Sequence, residues 1–420
     1  MFVLTLALKS LKNRSFTVGL TVLSIALSVT LLLGVERIRR ETKESFTNSI
    51  SDTELIVGGR SGAIQLLLYS VFRIGSATNN ISWESARDIA ALPEVEWTIP
   101  ISLGDSHQGY RVMGTTTDYF EYFRYGRDRA LAFDRGEEFD DVFDAVLGAE
   151  VAFALGYELD DEIIIAHGAG QVNLVEHADK PFRIVGILRP TGTPVDRTVH
   201  VSLEGIEAIH IDWRDGAPPI PGLEISADRA RRMRLRPQQV TAVLVGLESR
   251  ISTFTVQRSV NEYPEEALLA IIPGVALQEL WTLMGVAERS LLAVSGLVVL
   301  VGLSGMLTAL LTSLNERRRE MAILRSVGAR PLHIFTAIVG EAGVVTVMGV
   351  VTGIAMLYGS LFVARPIIAD RLGLYLEIGG ISRYEWVLIG AICVAGVGIG
   401  FIPGYRSYRY SLADGMTIRV

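Results

Sequence analysis

Cysteine is almost missing from this 420-residue chain: Cys393 is the only one, and it lies inside an apolar run. Disulfides are therefore excluded as a support, and any domain here has to be held by an ordinary buried core. Lysine is nearly as scarce, at Lys9, Lys12, Lys43 and Lys180, and none of the four follows a glycine. The phosphate-cradling loop G-x-x-x-x-G-K-[ST] needs that Gly-Lys pair, so this sequence does not hydrolyse nucleotide by that route. G-x-S-x-G, H-E-x-x-H and C-x-x-C are absent as well, no cofactor-binding pattern replaces them, and no catalytic residue is assigned.

Charge is the next shortage, and it is local. Apolar residues make up 49% of the chain and charged residues only 20%. Four windows, 15–35, 291–314, 334–364 and 386–405, are each long enough to cross about 30 Å of hydrocarbon at about 1.5 Å per residue. The last three windows contain one acid, Glu341, and no Lys or Arg. An acid at that depth is costly unless it is paired or close to the interface, and the excess length of its window favours the interface. The first window is longer than the core of a signal peptide and has no A-x-A site after it, so an uncleaved anchor is expected.

Basic residues near the span ends set the orientation. Lys9, Lys12 and Arg14 precede the first span; Arg317, Arg318, Arg319, Arg325 and Arg330 lie between the second and third; Arg406, Arg409 and Arg419 follow the fourth. Against these eleven stand Arg37, Arg39, Arg40 and Lys43. Both termini are thus expected in the cytoplasm, in a multi-pass protein of the inner (plasma) membrane. The partition is a cytoplasmic amphipathic segment 1–14, a periplasmic or extracellular domain with a helical stalk at 36–290, a cytoplasmic segment 315–333, an external loop 365–385 and a cytoplasmic tail 406–420. Residues 36–289 hold 39 acids against 25 bases, a net of −14, while the remainder carries +7. An acidic exterior domain does not bind nucleic acid through phosphates; membrane lipids are the expected surroundings of the rest.

The exterior segment reads as α+β. Strands are expected at 55–59, 95–102, 162–166, 182–188 and, last, 241–247. Ser82 is suited to cap a helix over 83–92, and a second helix is expected over 146–155, ending at Gly156. The Gly- and Pro-rich stretch 216–222 reads as a surface loop. Leu277, Leu280, Trp281, Met284, Ala287 and Leu291 recur at helical spacing and suggest a stalk packed from the helices that enter and leave the domain.

Several residues invite functional reading. The pairs His167/His177 and His200/His210 are each ten apart, which suits no helical ligand face, so with His107 they read as ordinary polar or core histidines and no metal site is assigned. The acidic run Glu137 to Asp141 reads as a solvated loop. The basic patch Arg229, Arg231, Arg232, Arg234 and Arg236 reads as a partner for the acidic remainder of its own domain. Gly349/Gly353 and Gly396/Gly400 are spaced as G-x-x-x-G, with Ser24/Ser28 a looser version, and would let helices approach closely.

The segment 315–330, NERRREMAILRSVGAR, carries far more pattern than a connecting turn needs. At about 100° per residue, Ile323, Leu324 and Val327 fall on one side together with Glu316 and Glu320, while Arg318 and Arg325 point away. A helix lying on a bilayer would carry a clean apolar face edged with basic residues. Acids embedded in the apolar face suit docking to another protein.

These residues resemble the signature of FtsX-like/MacB-like ABC-transporter permeases, E-x-x-x-E-[IM]-[AG]-x-[LM]-[KR]-[AS]-[LV]-G-[AM], which that family places between its second and third helices. The entry at Ala7 to Leu11 and the tail from Pro403 to Gly415 are similar to the family's ends, and four spans with a large α+β domain between the first two match its layout. The resemblance implies a permease without enzymatic activity, moved by a dimer of ABC ATPase subunits supplied in trans. Its coupling interface would be Glu316, Arg319, Glu320, Ile323, Leu324, Arg325, Val327 and Gly328. It also implies a homodimer, or a heterodimer with a related permease, an optional periplasmic adaptor, and work in export or substrate extraction. A sensor or a cell-wall regulator of the division type are the alternatives.

Overall fold

A computed structural model describes residues 14–168, 175–213, 225–316, 318–372 and 379–409. It divides into two compact units. One comprises the described residues within 1–41, 285–371 and 376–420; the other is built almost entirely from those within 42–284.

Among the described residues, four helices long and apolar enough to cross a membrane run over Ser15–Thr47, Pro273–Leu314, Pro331–Ala364 and Arg383–Arg409. Each is longer than the apolar window that suggested it. The first helix continues through Glu36 and Arg40 to Thr47, and the second begins at Pro273. Both stalk stretches are thus regular helix, because nothing in 36–47 or 274–290 breaks one. Phe46 meets Trp281 edge-on at 5.7 Å, and the Lys43 ammonium stands 6.0 Å over the same indole. Within the stripe Trp281 is buried, whereas Met284 and Leu291 are exposed.

The four-helix unit is packed through its small residues. A Cβ on Gly349 would stand 2.6 Å from Ile25, and one on Gly353 would stand 2.7 Å from the Ala26 carbonyl oxygen. A Cβ on Gly396 would collide with Thr346, and one on Gly400 would stand 2.7 Å from Ala342. The Ser28 hydroxyl donates to the Val298 carbonyl at 3.1 Å, close against Gly302. Such contacts are what hydrocarbon surroundings demand, since there the attraction between helices is van der Waals rather than hydrophobic. Glu341 is buried, and together with Arg14 and Ser313 it lines a small cavity near the start of the first helix.

The arginines that opposed the charge rule are paired. Arg39 donates to Glu36 at 2.7 Å and lies 3.6 Å from Glu288, while Arg40 reaches Glu385 at 3.4 Å. The Arg37 side chain is buried, donating to the Tyr358 hydroxyl at 3.1 Å and to the Gly379 carbonyl.

The second unit is α+β, built on a mixed sheet of twelve strands among the described residues. Its main path runs Leu268–Ile271, Leu55–Gly59, Ala242–Leu247, Val95–His107, Tyr110–Thr115, Thr198–Ser202, Asp144–Leu147, Phe182–Leu188 and Phe133–Gly136. Thr198–Ser202 lies parallel to Tyr110–Thr115, and Phe182–Leu188 parallel to Asp144–Leu147; the other neighbours are antiparallel. Leu55, Ile56 and Val57 are fully buried, as a strand covered on both faces requires. Ser82 caps the helix Trp83–Ala90, its hydroxyl accepting from the Ser85 amide at 3.1 Å.

Two expectations need correction. Val146 and Leu147 belong to a strand, and the helix begins only at Ala149, after Gly148. Apolar periodicity could not separate these elements, because the strand is buried throughout and carries no alternation. Ala242–Leu247 is not the last strand: Leu268–Ile271 follows and pairs with Leu55–Gly59. Its Leu-Leu-Ala-Ile sequence has helix-forming preferences that tertiary pairing overrides. The 216–222 loop lies outside the described residues.

Candidate functional site

Arg318–Ser326 is an independent short helix between the second and third long helices. Ala322 is buried and Met321 half-buried, the latter packed against the buried cluster Leu314, Ile334 and Ile338. On the other side Glu320 is exposed, Ile323 is 56% exposed and Val327 83%. The spacing 320, 323, 327 makes these three neighbours along one helical face. Leu324 and Arg325 are half-buried, so Leu324 belongs less to the open face than its projection suggested. The side chains of Glu316 and Arg319 lie outside the described residues.

The helix is closed by a Schellman motif. The Gly328 amide donates to the Arg325 carbonyl at 3.1 Å and the Ala329 amide to the Leu324 carbonyl at 3.0 Å. Gly328 sits at φ +104°, which a side chain would resist. The next helix then starts at once with Pro331 at its first position, and His333 accepts from the Arg330 amide through Nδ1 at 3.2 Å. Sequence inspection passed over His333; Pro331 two residues before it was the available signal. Together the two devices fix where Val327 and Ile323 point. An exposed pair of branched apolar residues beside a carboxylate is a surface that a protein groove fits.

The remaining candidate residues fall elsewhere. Gly349, Gly353, Gly396 and Gly400 all lie at helix crossings, as described above. In the acidic run, Asp141 accepts from Arg231 at 2.9 Å, and its amide and that of Asp140 donate to Asp144. Desolvation opposes the Asp141 charge, but the Phe143 amide and Arg231 outweigh it and hold the pKa below the usual carboxylate range. Arg231 also lies 3.3 Å from Asp228, so one member of the basic patch is neutralised within its own domain. The histidines do not pair by their spacing. His167, His177 and His210 come together around Asp105, whereas His200 is fully buried between Tyr119 and Phe120 and His107 bonds Tyr157.

Comparison with known proteins places this architecture. Residues 18–263 match a family model described as the MacB-like periplasmic core domain, and residues 292–412 match the FtsX-like permease C-terminal model. The pyoverdine export ATP-binding/permease protein PvdT of Pseudomonas fluorescens is 23% identical over 349 residues, covering 80% of this chain and 48% of that protein. The macrolide export ATP-binding/permease protein MacB of an Azoarcus species is 25% identical over 429 residues, covering 96% of this chain and 57% of that protein. The chain thus spans about half the length of the curated relatives it matches. The periplasmic region of MacB from Actinobacillus actinomycetemcomitans aligns with 55% of this chain and 94% of that one, at 10% identity and a TM-score of 0.34. Four apolar helices, an α+β domain inserted between the first two and both family models in order identify a membrane protein with an extracytoplasmic domain; it belongs to the FtsX-like/MacB-like ABC permease family.

Proposed function

We propose that this chain is the membrane-spanning part of an ABC transporter, and that an ATP-hydrolysing partner, expected as a dimer of separate subunits, docks on the helix Arg318–Ser326. The observation that carries the reading is the exposed face of Glu320, Ile323 and Val327, held in place by the Gly328 and Pro331 turns. Closure of the partner would displace this helix, and the unbroken helices Ser15–Thr47 and Pro273–Glu316 would carry the movement outward. In this reading the segment 315–333 and both termini face the cytoplasm, the bilayer is the inner membrane, and two permease copies, identical or related, form the working unit. Export is the activity in the names of both relatives, and we carry it here as the direction of transport, with a periplasmic adaptor as a further partner. Mechanical work on the α+β domain without a transported cargo is the alternative reading for the same coupling.

Co-purification with the partner ATPase and stimulation of its turnover test the docking. Ile323→Asp, Val327→Asp and Glu320→Arg should each weaken the complex about tenfold or more, because a charge is buried or reversed at the interface. A complex of wild-type affinity with unchanged ATPase stimulation in all three variants would overturn it.

A further inference from the structure

Asp105 reaches its position through an irregularity in the sheet. The strand Val95–His107 pairs with Tyr110–Thr115, but its register shifts between Leu103 and Ser106. Beyond the shift the same strand takes a second partner, with Asp105 directly opposite His167 and Ser106 opposite Ala166. A shift of this kind re-aims side chains, and a directly opposed cross-strand pair shares one face. The strand carrying His167 pairs onward with Val175–Glu176, immediately before His177. His210 is the last residue of the helix Leu203–His210 and completes the group.

The donor atoms converge. His167 Nε2 lies 3.0 Å from His210 Nε2, His167 Nδ1 lies 3.0 Å from Asp105 Oδ1, and His210 Nε2 lies 3.8 Å from the same oxygen. One donor atom from each of Asp105, His167, His177 and His210 falls within 4.8 Å of all the others. A tetrahedral ion with bonds of about 2.0–2.1 Å needs donors roughly 3.3 Å apart, so small side-chain rotations would close the set.

The polar bookkeeping agrees. Asp105 and His177 are buried; His177 Nε2 makes no hydrogen bond, and Asp105 Oδ1, close as it is to His167 Nδ1, forms none of good geometry. Buried polar atoms left in this condition call for a partner. His210 Nδ1 is 2.8 Å from the Ile206 carbonyl, which can only accept, so Nδ1 carries the proton and Nε2 presents a lone pair to the cluster. A second ring nitrogen held by a carbonyl or a carboxylate is the usual setting of a metal-bound imidazole.

We propose that Asp105, His167, His177 and His210 bind a single late first-row divalent metal ion of the Zn²⁺ class. Three imidazoles and one carboxylate suit that class, whereas Ca²⁺ and Mg²⁺ take shells of six or more oxygens. Trp213 packs across the rings, 4.3 Å from His167 and 4.9 Å from His177, and shields one side. The other side opens to a groove of about 480 Å³ lined by Asp105, His167 and His210, through which the ion would enter. Positive groups stand nearby: Lys180, held by Asp179 and Asp212, and Arg234 and Arg236 on the groove wall. Selectivity therefore rests on the nitrogen donors rather than on a negative field.

The test is equilibrium titration of the purified full chain, stripped with a chelator, using Zn²⁺ in competition with a chromophoric chelator. One ion per chain with a micromolar or lower dissociation constant is expected. Asp105→Asn should weaken binding about 10–100-fold and His177→Ala with His210→Ala at least about 100-fold. His200→Phe, a buried histidine outside the cluster, should leave binding unchanged. Ni²⁺ should quench tryptophan emission in the wild type and much less in Trp213→Phe, which retains binding. Each variant is first checked for a wild-type melting transition in metal-free buffer, and Asp105→Asn carries the test if the double variant does not fold. Absence of saturable Zn²⁺ binding in the wild type would overturn the proposal. So would variants of the cluster that bind within about twofold of it, or loss of binding in His200→Phe.

Discussion

In the membrane-spanning unit, Gly353 holds a place where a Cβ would touch the Ala26 carbonyl and Val29 at under 3 Å, while in the α+β unit Phe182 and Phe143 fill their space with rings 5.4 Å apart. The contrast follows from the solvent each unit meets. Water drives large apolar side chains together, so the sheet gains from volume. Lipid offers no such drive, and helices there gain only by approaching closely. Within the membrane-spanning unit the same substitution, glycine to a branched residue, should therefore matter most where helices cross. Gly353→Leu is expected to cost about 3 kcal/mol or more through overpacking. Gly359→Leu, with nothing within 4 Å of its Cβ on the same helix, should be nearly silent. Thermal unfolding and monodispersity in detergent would measure both, and equal behaviour of the two variants would remove the basis of the comparison.

Acid should separate the units a second way. His200 is fully buried in the α+β unit, and burial, with Arg73 adding like charge, pushes its pKa down to about 3. The unfolded chain therefore binds a proton near pH 6.5 that the folded chain refuses until about pH 3. Stability is full above about pH 6.5 and falls by up to about 1.4 kcal/mol per pH unit on acidification towards pH 3. His200→Phe, which keeps a ring against Tyr119 and Phe120, should flatten that decline in chelator-treated protein. A melting temperature that drops equally with pH in variant and wild type would show that other groups carry the acid response.

What the sequence made legible differs between the units for the same reason. Membrane spans announce themselves as uninterrupted apolar runs, and the glycine spacing already pointed to crossings such as Gly396 on Thr346. Local signals also read true, among them the Ser82 cap and the Gly156 stop, where φ is +70°. Sheet order was not legible, because the partner of Leu55–Gly59 in Leu268–Ile271 is set by tertiary pairing far along the chain. The histidine group failed for a stronger reason. The ten-residue spacings of His167/His177 and His200/His210 suit no helical ligand face, yet a register shift at Asp105 and a helix end bring His210 to His167 and His177 and leave His200 in the core. In the 315–330 segment Ile323 and Val327 stand exposed together, while Leu324 is half-buried and Met321 packs against Leu314, Ile334 and Ile338, a tertiary outcome that a helical projection does not contain.

The smallest effect concerns Gly328, and it separates local conformation from packing most cleanly. Nothing lies within 4 Å of a Cβ built there, so Gly328→Ala meets no steric obstacle. Its only cost is the left-handed backbone at φ +104°, about 1–2 kcal/mol for an L-residue. The bonds at risk are those from the Gly328 and Ala329 amides to Arg325 and Leu324, which end the short helix. Global melting should hardly move, because this turn contributes to neither large core. Amide exchange across 323–329 should instead accelerate about 5–30-fold, the factor that 1–2 kcal/mol implies. If docking on Ile323 and Val327 requires that helix end to be fixed, ATPase stimulation should fall with it. Gly328→Asn, whose side chain tolerates left-handed backbone better, should recover part of both. Faster exchange with unchanged stimulation would mean that the partner itself orders the turn on binding.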